Sequence, residues 1–102
     1  MKKKSNLKGG EIMPRLENWR YLSYSFGYQT LDSQECFLSG AVYDDELNRF
    51  TDGDRIRTST VQTLDIENMV AQTRNTQYIL GEPDADYVKW LHENGVGLPF
   101  DF

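Results

Sequence analysis

Polar and apolar side chains alternate over residues 19–28, with Arg20, Leu22, Tyr24, Phe26 and Tyr28 on one phase and Trp19, Tyr21, Ser23, Ser25 and Gly27 on the other. A period of two sends neighbours to opposite faces of an extended chain, so this aromatic-rich stretch reads as a strand. Residues 35–43 predict a second strand, in which Gly40 marks a bulge or a close backbone approach. Polar residues 29–34, with Asp32 and Ser33, suit the turn between them. The pattern breaks over 44–54, where acids, Asn48 and the pair Asp52-Gly53 predict a loop with Phe50 as its apolar plug. Residues 55–64 are rich in Thr, Val and Ile and predict a third strand. Its apolar phase switches between Ile56 and Val61, which a bulge near Thr58-Ser59-Thr60 or a strand exposed at one end would explain. Residues 69–74 and 77–81 predict a hairpin around Asn75-Thr76.

The period then lengthens to three and four. Tyr87, Trp90 and Leu91 share one helical face, Asp84 is a good N-cap, Asp86 places negative charge in the first turn, and Gly95 stands where a helix ends. Five short strands and a terminal helix predict a mainly β (α+β) fold: a five-stranded antiparallel meander, strongly curled or closed into a small SH3-like barrel, because closure removes exposed edges. Residues 13–95 form the expected single domain. Residues 96–102, with Pro99, Phe100 and Phe102, form an apolar tail that closes over the core or lies against a partner.

Residues 1–12 change how the charge is counted. Read back through the genetic code, Lys8 to Met13 accommodates a purine run of the kind bacterial ribosomes pair with, just upstream of an ATG. The expected biological start is therefore Met13, with 1–12 a disordered leader that is non-native or mis-annotated, in a gene of bacterial or phage origin. The net charge of −5 then becomes −8, since four lysines and one glutamate leave with the leader. The remaining basic residues are spread among carboxylates along the chain, which disfavours direct nucleic-acid binding and anionic membranes and is compatible with a protein partner. No apolar run is long enough for a membrane span or a signal peptide, and Cys36 is the only cysteine, so no intramolecular disulfide can form; the expected compartment is the cytoplasm.

Catalytic chemistry finds little support. His92, the only histidine, lies off the apolar helical face, and Cys36 within an apolar run reads as a small buried side chain. Asp44, Asp45, Glu46, Asp52 and Asp54 do not follow a calcium-loop spacing and read as a solvated acidic loop. Gly95-Val96-Gly97 follows a helix where a phosphate cradle would precede one. Tyr21, Tyr24, Phe26 and Tyr28 resemble a stacking platform, yet only Arg20 is interleaved with them, so packing is the better account. No enzyme activity, metal or cofactor is implied. The favoured site is a protein-contact patch formed by Tyr43, Arg49, Phe50 and Asp52 with Arg57 on the following strand, because an aromatic beside an Arg resembles an interface anchor. Against it stands Phe50 as a core plug with Arg49 paired to a local acid.

From Leu38 onward an ordered set of pieces, Gly40-Ala41-Val42-Tyr43, Arg49-Phe50-Thr51-Asp52-Gly53, Ile56-Arg57-Thr58-Ser59, Val70-Ala71-Gln72-Thr73 and Tyr78-Ile79-Leu80-Gly81, leads into an acidic helix with Trp90. The set resembles an uncharacterised family of small bacterial and phage proteins, and Asp44-Asp45-Glu46 stand as an insertion relative to it. The resemblance implies a shared β fold and no catalytic residue. The expected function is a small non-enzymatic binding or regulatory module acting through protein contact; the alternative is an acidic phage- or mobile-element-encoded inhibitor that mimics nucleic acid at a DNA-binding site.

Overall fold

The computed structural model describes residues 13–97. The leader at 1–12 and most of the apolar tail, including Phe100 and Phe102, lie outside the described residues. Strands β1 (Arg15–Ser23), β2 (Gly27–Tyr28), β3 (Cys36–Tyr43), β4 (Asp54–Arg57), β5 (Val61–Asp65), β6 (Val70–Thr73) and β7 (Gln77–Leu80) precede helix α1 (Ala85–Glu93). They form one sheet in the order β4-β3-β1-β7-β6-β5, with the short β2 paired to β1. All pairings are antiparallel except that of β1 with β7, which is parallel.

This is mainly β as expected, but the count is seven strands, not five, and the parallel β1–β7 pair means the sheet is not a simple meander. The aromatic stretch 19–28 is a hairpin that turns through residues 24–26 into Gly27, whose φ is +81°. The expected third strand divides into β4 and β5 at Thr58, Ser59 and Thr60. There the Thr58 backbone N–H donates to the Leu38 carbonyl at 2.9 Å, while the Thr58 hydroxyl accepts from the Leu38 N–H at 3.0 Å. The phase switch between Ile56 and Val61 is thus a corner. The strands at the two ends of the order, β4 and β5, are consecutive in the chain and joined through three residues, so the sheet must curl to bring them close. No ladder joins β4 to β5, and the sheet stays open.

The core explains a bulge in β1. Leu16 and Trp19 are three apart, which a regular strand would place on opposite faces, yet both are fully buried. The register shifts between Glu17 and Arg20, with Asn18 at φ +53°, a conformation Asn tolerates better than most residues. The N–H groups of Asn18 and Trp19 are satisfied by the Glu82 carbonyl at 2.7 and 3.4 Å. Opposite the bulge sits Gly40, where a Cβ would lie 2.8 Å from the Glu17 carbonyl oxygen and 3.2 Å from the Trp19 Cα. Its absent side chain permits the close approach.

Leu16, Trp19, Tyr21, Leu38, Val42, Tyr78 and Leu80 of the sheet meet Tyr87 and Leu91 of α1 in one cluster. Asp84 caps the helix by accepting from the Tyr87 N–H at 3.2 Å. The C-terminus closes with the Gly95 N–H on the His92 carbonyl and the Val96 N–H on the Leu91 carbonyl, the paired bonds that a left-handed glycine after a helix makes possible. Val96 packs against the core beyond it. No helix among the described residues is long and apolar enough to cross a membrane.

Candidate functional site

The 44–54 loop is organised around one side chain. Asp45, read from the sequence as a solvated acid, has a side chain only 2% exposed. Its carboxylate accepts hydrogen bonds from the backbone N–H groups of Arg49 at 2.8 Å and Phe50 at 3.1 Å, and a longer one from Leu47 at 3.4 Å. The Arg49 guanidinium adds Nε at 3.3 Å and Nη2 at 3.1 Å. Burial alone would raise the Asp45 pKa, but the Arg49 side chain and the backbone donors outweigh it and hold the carboxyl below its ordinary value. Arg49 also donates through Nη1 to the Thr76 hydroxyl at 3.0 Å, tying the loop to the β6–β7 turn. The bond to Asp45 pushes the Arg49 pKa further up.

This arrangement over-determines the backbone. Asp44 and Asn48 both stand at positive φ, +62° and +57°. The Asp44 N–H donates to Asp52 at 2.9 Å and the Thr51 N–H to Asp54 at 2.9 Å, so Asp52 and Asp54 also cap turns. A shallow cleft of about 560 Å³ runs along Asp44, Glu46, Asn48, Phe50 and Asp52. At the tip, Leu47 is 73% exposed, a large apolar side chain on a backbone whose N–H groups at Leu47, Arg49 and Phe50 bond to Asp45. Sequence reasoning passed over it; an apolar residue amid acids and turn formers was the available signal.

The five residues expected to form one patch do not all meet. Arg49 lies over the Phe50 ring, 5.7 Å from its centroid, and Phe50 is half-buried against the core. Tyr43 instead carries the Arg15 guanidinium on its ring at 4.9 Å, and Arg15 is ion-paired with Glu17 and Asp44. Arg57 stands apart: it pairs with Ser39, four residues or about 13 Å along β3 from Tyr43, and lies over Phe37 at 5.3 Å. Arg49 and Phe50 therefore act largely as scaffold.

Two variants separate scaffold from contact. Phe50→Ala should cost about 2 kcal/mol for the half-buried ring. Arg49→Ala should cost about 1 kcal/mol, since Asp45 keeps its backbone donors. Equilibrium urea unfolding reads both, and an Arg49→Ala midpoint equal to that of the unsubstituted protein would remove the Asp45 pair from the account.

The other candidates resolve simply. Cys36 is fully buried, burial pushes its thiol pKa up, and its Sγ donates to the Gln34 carbonyl at 3.3 Å. His92 is exposed in the last turn of α1. No group of three or more His, Cys, Asp or Glu side chains gathers to hold a metal among the described residues. The aromatic series splits in two. Tyr21 is buried with its hydroxyl on the Ser33 carbonyl at 2.7 Å, its pKa pushed up to about 12 by burial. Tyr28 packs against Tyr87 and Trp90, whereas Tyr24 and Phe26 project from the hairpin, 62% and 84% exposed.

Comparison of the chain with protein-family models, with curated proteins and with solved structures found no match.

Proposed function

We propose that the protein is a small non-enzymatic binding module that acts by protein contact, with the 44–54 loop as its preformed contact element. One observation carries the reading: a buried carboxylate gathers three backbone N–H groups and a guanidinium to fix a loop whose tip presents Leu47. An element ordered before binding loses less entropy when a partner docks, which is how short loops serve as anchors. Tyr43 and Asp52 flank this tip, and Arg49 and Phe50 set its shape.

The distribution of acids favours this over imitation of nucleic acid. Carboxylates are spread over separate elements: Glu17 in β1, Asp32 and Glu35 between β2 and β3, the 44–54 loop, Asp65 at the end of β5 and Glu67 in the turn after it, and Glu82, Asp84, Asp86 and Glu93 before and along α1. The curl that joins β4 to β5 supports kinship with small SH3-like barrels. The family resemblance and a cytoplasmic setting belong to the same proposal.

A photo-reactive amino acid placed at position 47, and separately at exposed Glu67 in the β5–β6 turn, tests it in the native cell. The expected result is a discrete cross-linked protein from position 47 alone, lost when Asp45→Ala is added. Equal cross-linking from both positions, or none from 47, would reject the loop as the contact element.

A further inference from the structure

The outer face of β1, β3 and β4, opposite the core, carries arginines that the loop does not use. Residues directly opposite in a ladder share a face. Arg20, Ser39 and Arg57 therefore lie side by side across the three strands, with Glu17, Ala41 and Arg55 in the next row. Ser39 and Ala41 are short, so β3 forms the floor of a trough walled by longer side chains. Among the described residues Arg15 is ion-paired with Glu17 and Asp44, and Arg49 with Asp45, while Arg20, Arg55 and Arg57 pair with no carboxylate. The Arg20 Nε is buried without a hydrogen-bond partner. Glu17, the one carboxylate on these rows, is engaged by Arg15.

Aromatic surface continues the trough. Tyr24 packs on Phe37 with centroids 4.8 Å apart, on the same ring that Arg57 covers, and its hydroxyl meets the Thr60 hydroxyl at 2.9 Å. Exposed Tyr24 and Phe26, with the amides of Gln29 and Gln34 and the carboxylate of Glu35, line a cleft of about 270 Å³. Along the chain only Arg20 lies among these aromatics; the register of β4 on β3 brings Arg57 to Phe37, with Arg55 one row farther along β4. Arg55 and Arg57 alternate on one strand and so stand about 7 Å apart, close to the spacing of successive phosphates in an extended strand.

We infer that this face binds single-stranded nucleic acid, with a base held at the Tyr24–Phe26 cleft and the backbone phosphates running along Arg57, Arg20 and Arg55. Stacking on exposed aromatics beside a basic groove is the general chemistry of single-strand recognition. An acidic polypeptide would satisfy the arginines but leaves the aromatic and amide cleft without a role. Glu35 is the one carboxylate that lines the cleft, and the acids of the 44–54 loop, of Glu67 and of α1 are not among its lining residues.

Fluorescence anisotropy of the full chain with a labelled ten-nucleotide oligothymidylate at low salt tests the inference, alongside a labelled ten-residue polyglutamate. Oligothymidylate binding is expected to weaken at least about tenfold in Arg57→Glu and about fivefold in Phe26→Ala. Phe26 is almost fully exposed, so its variant should melt like the unsubstituted protein and report on stacking alone. No oligothymidylate binding would overturn the inference. Binding unchanged in both variants would also overturn it, placing the affinity elsewhere, such as the Lys2-Lys3-Lys4 cluster. Polyglutamate binding that matches oligothymidylate, is lost in Arg57→Glu and is unaffected by Phe26→Ala would overturn it in favour of an acidic polypeptide. None of these outcomes depends on the 44–54 loop, so the inference and the proposed function can fail separately.

Discussion

Trp19→Ala is expected to destabilise the protein by about 4 kcal/mol, the usual range for removing a fully buried indole. Trp19 stands where three parts of the chain meet. Its Nε1–H donates to the Gly81 carbonyl at 2.9 Å, its own carbonyl accepts from the Asp84 N–H at 2.9 Å, and its ring lies 6.0 Å from that of Tyr87. Truncation leaves a large cavity and strips the Gly81 carbonyl of its donor. It also removes the burial that holds the Asn18 bulge in place. A domain of this size loses several degrees of melting temperature per kcal/mol, so a fall of roughly 20 °C is expected. Differential scanning calorimetry measures it, and a fall of only a few degrees would mean that the bulge and the helix dock without the indole.

Asp45→Ala comes next, at about 3 kcal/mol, since it strips the N–H groups of Leu47, Arg49 and Phe50 of their buried acceptor. The effect carries a pH signature. The folded pKa of Asp45 lies below the unfolded value, so its ionic contribution is fully present above about pH 4, the ordinary carboxylate range, and is lost as pH falls through the folded pKa. The stability gap between the unsubstituted protein and Asp45→Ala should therefore be widest near neutrality and shrink below about pH 4. Urea titrations at neutral and acid pH check this; a gap that stays constant across that range would contradict the assigned charge state.

Much of the fold was legible because period and burial agree. The phases of Trp19, Tyr21, Arg20 and Leu22 were read correctly, as were the β6–β7 hairpin and the helix with its Asp84 cap and Gly95 stop. Gly40 proved to be a close approach. One failure was local, the turn at 24–26 inside the alternating stretch; the others depended on pairing with distant strands. The parallel β1–β7 contact joins segments more than sixty residues apart and leaves no local trace. The β4–β5 corner looked like a bulge because both shift the apolar phase by one residue.

The site was less legible, and for a stated reason. A buried aspartate satisfied by backbone donors has the same local sequence as a solvated one, so Asp45 was grouped with its neighbours Asp44 and Glu46. Arg57, on the strand after the loop, was read as facing it, while the β3 register carries it to Phe37 and Arg20. Tyr24 and Phe26 were treated as packing because the alternating pattern does not show where a hairpin leaves the core.

The central claim is that the 44–54 loop is a preformed element built on the Asp45 carboxylate, and amide hydrogen exchange at Arg49 and Phe50 tests it most directly. In the unsubstituted protein both amides should exchange slowly, on the timescale of the neighbouring strand amides, and in Asp45→Asn both should exchange far faster while β3 remains protected. Rapid exchange at Arg49 and Phe50 in the unsubstituted protein, unchanged by the substitution, would contradict the account.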